Sequence, residues 1–108
     1  MYQSKQNTDA SIEKVIQSAG RHVLFLSADW CGDCRAIKPF VQNIKDTITQ
    51  TAGWVDADRD ANIDIATKYN MRGIPSFVLF QDGQEVSRIG HGERISPQQI
   101  LDWYQNTL

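Results

Sequence analysis

Runs and periods of apolar residues divide this chain into alternating helices and strands. Ile12, Val15, Ile16 and Ala19 fall on one face of a helix, with Asp9 or Ser11 as its expected cap and Gly20 as its stop. His22 to Ser27 is a short, unbroken apolar run, which reads as a strand buried on both faces in a sheet with parallel neighbours. From about Cys34 to Ile48 the apolar positions Ile37, Phe40, Val41, Ile44 and Ile48 return to a helical period, with Pro39 placed to kink the helix.

Ala52 to Ala57 is a second strand, and Asn62 to Tyr69 a short helix that turns Ile65, Ala66 and Tyr69 inward. Ser76 to Phe80 and Glu85 to Ile89 flank Gln81-Asp82-Gly83-Gln84. An Asp-Gly turn between apolar runs predicts an antiparallel hairpin. Ser96 caps and Pro97 opens a last helix, whose apolar face is Ile100, Leu101, Trp103 and Tyr104. The first eight residues offer one more edge strand, which the pattern does not decide. The order predicts an α/β fold: a mixed sheet of four to five strands with helices on both faces.

The 108 residues suit one domain, residues 1–108, and 41% apolar content suits one ordinary core. With 11 basic and 13 acidic residues and no clustered positive charge, neither nucleic acid nor an anionic membrane surface is an expected partner. No apolar run is long enough to cross a bilayer, and the start of the chain lacks the apolar core of a secretory signal.

The two cysteines, Cys31 and Cys34, are three positions apart. A disulfide closing so short a loop adds little stability, so the pair is expected to be chemical and the compartment reducing, hence cytoplasmic. The junction of strand and helix explains the chemistry. The strand delivers Cys31 to the carboxyl edge of the sheet, and the unpaired N–H groups of the helix start favour a thiolate there. Cys31 would attack a substrate disulfide, and Cys34, one turn further on, would resolve the mixed disulfide. A Cys-x-x-Cys can also be half of a zinc site, but only His22 and His91 could complete it, and their spacing fits no common pattern; no metal is expected. Two inert buried cysteines are the remaining alternative, which Gly32 and Asp33 between them make a poor fit.

Trp30-Cys31-Gly32-Asp33-Cys34-Arg35 resembles the Trp-Cys-Gly-Pro-Cys-Lys active site of thioredoxins. Arg72-Gly73-Ile74-Pro75-Ser76-Phe77 resembles the segment of that family holding its cis-proline, Gln81-Asp82-Gly83 its hairpin turn, and Pro39 its helix-kinking proline. The likeness runs from about Ser11 to Leu108. It implies the thioredoxin fold and reduction of protein disulfides by a monomer without a bound cofactor, the redox-active pair being Cys31 and Cys34. It also implies a flavin-containing thioredoxin reductase as electron donor. A low-molecular-weight thiol donor, as in glutaredoxins, and a binding or adaptor module with weak redox activity stand as alternatives.

By the same resemblance, the Ile74 backbone would pair with the substrate, and Trp30, Gly73, Ile74 and Pro75 would form the docking surface. Gly90, in preference to Gly92, would supply the family's substrate-facing glycine. Read without the cysteines, Ile74-Pro75 could simply open a strand.

Three departures from the family pattern stand out. Asp33 replaces the proline between the cysteines, placing a carboxylate beside the thiols but also at a helix start that welcomes it. Phe25 stands where the family buries an aspartate, and Trp54 where it places the paired lysine, so both members of a buried ion pair have become apolar together. That leaves Cys34 without its usual base. Finally, the segment around Asp58-Arg59-Asp60-Ala61-Asn62 is about two residues longer than usual. Arg35 and Arg72 flank the site and could offset Asp29 and Asp33, or be solvated surface charges.

Overall fold

A computed structural model describes residues 1–108. The elements are α1 (Asp9–Ile16), β1 (Arg21–Ser27), α2 (Gly32–Ile48), β2 (Gly53–Asp58), α3 (Ile63–Lys68), β3 (Ser76–Gln81), β4 (Gln84–Ile89) and α4 (Pro97–Gln105). The four strands form one mixed sheet in the order β2-β1-β3-β4. β1 runs parallel to β2 and antiparallel to β3, and β3 and β4 form the expected hairpin.

Period-two alternation sorts the strand side chains between two cores. Val23, Phe25, Phe77 and Leu79 pack toward Ile37, Val41, Ile44 and Ile48 of α2 and Ile100 and Tyr104 of α4. Leu24, Leu26, Val55, Val78 and Phe80 pack toward Ile12 and Ile16 of α1 and Ile65 and Ala66 of α3. Because β1 is covered on both faces, its run is apolar throughout and not alternating. The hairpin turn carries positive φ at both central residues, 52° at Asp82 and 84° at Gly83, as the twist of paired strands requires. Ser96 and Gln99 close a reciprocal capping box ahead of α4, with Pro97 in its first turn.

Several expectations change. The cap of α1 is neither Asp9 nor Ser11 but Thr8, whose hydroxyl accepts the Ser11 N–H. Phe40 lies at the margin of the α2 stripe and is 46% exposed. Pro39 sits inside α2 as expected.

The first eight residues do not form a strand. They are held against β2 by side chains: the Asn7 Nδ2 donates to the Asp56 carbonyl (3.0 Å), the Asn62 Nδ2 donates to the Asn7 carbonyl (2.9 Å), and the Lys5 N–H donates to the Asp56 carboxylate (3.0 Å). Tyr2 enters the core on the α2 face, with the Lys45 ammonium over its ring.

Candidate active site

The carboxyl ends of β1 and β2 open beside the start of α2, and the cysteines stand there. Cys31 caps α2 from an extended backbone conformation, its Sγ accepting the Cys34 N–H at 3.2 Å. A sulfur thus occupies the place usually taken by a hydroxyl or carboxylate oxygen. The Cys31 thiol lies 3.7 Å from the Ile74 carbonyl. Both cysteines are free and buried, and they form a small apolar cluster with Ala28 against which Ile74 packs.

Their surroundings differ. Burial pushes the Cys34 thiol up to about 12, reinforced by its hydrogen bond with Cys31 and by the negative charge of Cys31 and Asp33, while a backbone contact at Ala28 works the other way. Such a thiol stays protonated until something takes its proton.

The Ile74–Pro75 bond is cis. Of the residues around it, Ile74 packs against the cysteine cluster, and two glycines let chain segments close on the loop. A Cβ on Gly90 (φ 96°) would come within 2.2 Å of the Pro75 carbonyl, and one on Gly73 within 2.1 Å of the Gly92 N. Gly90 thus backs the proline and Gly92 approaches Gly73, so both candidate glycines border the loop. Gly32 differs, because a Cβ there would meet nothing within 4 Å.

Trp30 is 61% exposed, and its ring is oriented by a 2.6 Å hydrogen bond from Nε1 to the Asp60 carboxylate. Asp60 follows the end of β2, so the segment after that strand fixes the Trp30 ring.

Asp33 pairs with a residue that local spacing does not reveal. The Arg94 Nε donates to its Oδ1 at 3.1 Å, linking the loop after β4 to the first turn of α2. Of the two arginines expected to balance the acids, Arg72 instead donates to the Asn70 side chain. Arg35 lines a cleft behind Cys34. His22, the expected half of any zinc set, lies at the far end of β1 and bonds the Ala19 carbonyl.

Beneath the site, Phe25 and Trp54 are apolar partners as expected. Phe25 stacks on Phe77 with centroids 4.7 Å apart and packs against Trp54 at 5.6 Å. The surprise is Asp56, which the apolar reading of Ala52 to Ala57 passed over. It pairs in register with Phe25 and is buried. Tyr2 Oη donates to its carboxylate (2.8 Å to Oδ1, 2.7 Å to Oδ2), Trp54 Nε1 donates to Oδ1 (3.0 Å), and the Lys5 N–H donates to Oδ2. The position across the sheet from Phe25 is therefore taken by Asp56 and not, as expected, by Trp54, which stands opposite Val23 and supplies Asp56 with a neutral donor. The alternation Trp54, Asp56, Asp58 on one strand face is the signal that could have exposed it.

A cleft of about 410 Å³ opens behind Cys34. Its walls are the segment Tyr2–Gln6, the ends of β1 and β2, and α2 at Arg35, Lys38 and Val41.

A family model described as thioredoxin matches residues 3–105. The mitochondrial thioredoxin-2 of Schizosaccharomyces pombe is 34% identical over 99 residues, covering 92% of this chain and 69% of that protein. The thioredoxin of Rhodospirillum rubrum is 29% identical over 106 residues, covering 96% of this chain and 99% of that one. Among solved structures, the thioredoxin of Malassezia sympodialis superposes with a TM-score of 0.81 at 24% identity, covering 94% of this chain and 88% of that chain.

Proposed function

Because this chain belongs to the thioredoxin family and is a disulfide oxidoreductase, we propose that it reduces protein disulfides by dithiol exchange, with Cys31 attacking and Cys34 resolving. The observation that carries this assignment is the Cys31 sulfur at the N-cap of α2, where it accepts the Cys34 N–H. The helix start favours a negative sulfur at that position, whereas burial outweighs the backbone contact that favours one at Cys34. The Cys31 thiolate bonds to one sulfur of the substrate disulfide and releases the other as a thiol. Cys34 then bonds to Cys31, the second substrate sulfur leaves, and the protein carries the new disulfide.

The substrate strand lies along the Ile74 backbone, with Trp30, Gly73, Pro75 and Gly90 as the surrounding surface. The exposed Trp30 ring, anchored through Asp60, supports that reading. The protein's own two sulfurs carry the electrons, and a thioredoxin reductase renews them. A cysteine pair used for chemistry fits a reducing compartment, and we assign the cytosol; fractionation of cells expressing the full protein tests that assignment.

The decisive experiment is trapping. Cys34→Ser should hold substrate proteins on Cys31 as mixed disulfides that dithiothreitol releases, and Cys31→Ser should hold none. Insulin reduction driven by NADPH and thioredoxin reductase should exceed that driven by glutathione. Turnover that persists in Cys31→Ser defeats the assignment.

A further inference from the structure

The second step of the exchange, which rests on the dithiol reading above, requires Cys34 to give up a proton from a buried position. Beneath it, Phe25 offers no group that could take one. The buried carboxylate of this face, Asp56, is committed elsewhere, since both oxygens already accept hydrogen bonds from Tyr2, Trp54 and Lys5. A carboxylate so fully bonded is a poor proton acceptor.

The cleft behind Cys34 offers another route. Asp58, the last residue of β2, lines the same cleft as Cys34. Its Oδ2 is fixed by the Asp60 N–H (3.0 Å) and the Ala61 N–H (2.9 Å), while Oδ1 carries no such bond. The cleft has room for several waters, and its polar walls suit them. Asp29 also lines it but is exposed and has no comparable anchor.

We propose that Asp58 accepts the Cys34 proton through water in this cleft during resolution of the mixed disulfide. The Cys34–Cys31 sulfur bond forms as the bond from Cys31 to the substrate sulfur breaks. The substrate sulfur leaves as the reduced thiolate, the cysteine pair is oxidised, and the proton passes to the Asp58 carboxylate and on to solvent. Other charges bear on the transfer from every side: Tyr2 and Lys5 from the N-terminal segment, Asp29 from the loop after β1, Asp33, Arg35 and Lys38 from α2, and Asp60 from the loop after β2. Lys5, Arg35 and Lys38 favour the negative sulfur that forms, and the carboxylates oppose it.

The test separates the two steps. A chromogenic aromatic disulfide reports Cys31 attack as a first burst of released thiolate and Cys34 resolution as a second. In the unmodified protein the second phase should show a pH-independent plateau near neutrality. Asp58→Asn, whose side-chain oxygen can still accept the two turn N–H groups, should leave the first phase unchanged. It should slow the second about 10-fold or more at pH 7 and replace the plateau by a steady rise with pH. Asp58→Glu should restore the plateau. If Asp58→Asn keeps the plateau, or slows resolution equally at every pH, the proposal is overturned. Should that variant fail to fold, the unmodified profile decides alone: a second phase that rises steadily without a plateau overturns it. A missing first phase in the unmodified protein would count against the dithiol reading itself.

Discussion

Replacing Tyr2 by Phe removes one oxygen from the buried network beneath the active site and leaves the rest in place. The ring keeps its edge-on packing against Trp54 and its tilted contact with Phe25, both at 6.4 Å, and keeps Lys45 above its face. The phenol O–H, however, is a donor to the Asp56 carboxylate, within 2.8 Å of both oxygens. A hydrogen bond to a charged group contributes about 1.5–3 kcal/mol. Asp56 retains Trp54 Nε1 and the Lys5 N–H, so its charge is not stranded, and a loss of about 2 kcal/mol is expected. For a domain of this size that lowers Tm by roughly 10 °C.

The pH dependence gives a second, independent reading. Burial, reinforced by the Asp56 hydrogen bond and charge, raises the Tyr2 phenol well above its ordinary value of 10.0. A group raised on folding stabilises fully below its unfolded value, and that contribution is lost as pH rises through the folded one. Stability of the unmodified protein should therefore fall above about pH 10, and Tyr2→Phe should flatten that part of the decline. Urea unfolding of both proteins with dithiothreitol present, from pH 7 to 11, measures both effects. A loss under about 0.5 kcal/mol at pH 7, or an unchanged alkaline decline, would show that the phenol is not bonded to a buried charge.

Other substitutions probe the rim of the site. Gly90→Ala places a Cβ against the Pro75 carbonyl at a positive φ, and should cost at least 1–3 kcal/mol, roughly, by thermal unfolding while also depressing turnover. Asp33→Asn breaks an exposed pair with Arg94 and should change stability by less than about 1 kcal/mol. Because the Asp33 charge helps hold the Cys34 thiol up, the same substitution should let that thiol ionise at lower pH, read by alkylation rate against pH. Asp60→Ala frees the Trp30 indole; turnover of a protein disulfide should fall several-fold through KM, with little change in attack on a small aromatic disulfide.

Much of the fold is legible because burial imposes a period on the sequence. His22 to Ser27 reads as a doubly covered strand, and Asp82-Gly83 as a tight hairpin, because those φ values admit few other residues. The site is legible for a related reason: Cys31 and Cys34 lie at a junction between an unbroken buried run and a helical period. What escaped reading depends on contacts between distant segments. Arg94 reaches Asp33 across 61 positions, and Tyr2 reaches Asp56 across 54. Neither pair leaves a local pattern, since a lone Tyr or Arg near a terminus reads as solvated. Asp56 was hidden by its apolar neighbours Val55 and Ala57, which face the other core. The cap at Thr8 was missed by a single position, because hydroxyl and carboxylate candidates occur at Thr8, Asp9 and Ser11 alike, and the helix frame alone does not choose among them.

Cys31 holds two offices at once, reagent and structural fitting, and they cannot be discharged together. While its sulfur is free it closes the first turn of α2 through the Cys34 N–H. Once that sulfur carries substrate it is a weaker acceptor, so the turn that holds Cys34 slackens at the moment Cys34 must swing toward it. In the proposed cycle that one cap bond would weaken while Cys31 carries substrate. The choice of inactive control follows from this. Serine at position 31 keeps a good cap and isolates the chemistry, whereas alanine removes cap and chemistry together, with about 1 kcal/mol lost to the helix before any substrate is added.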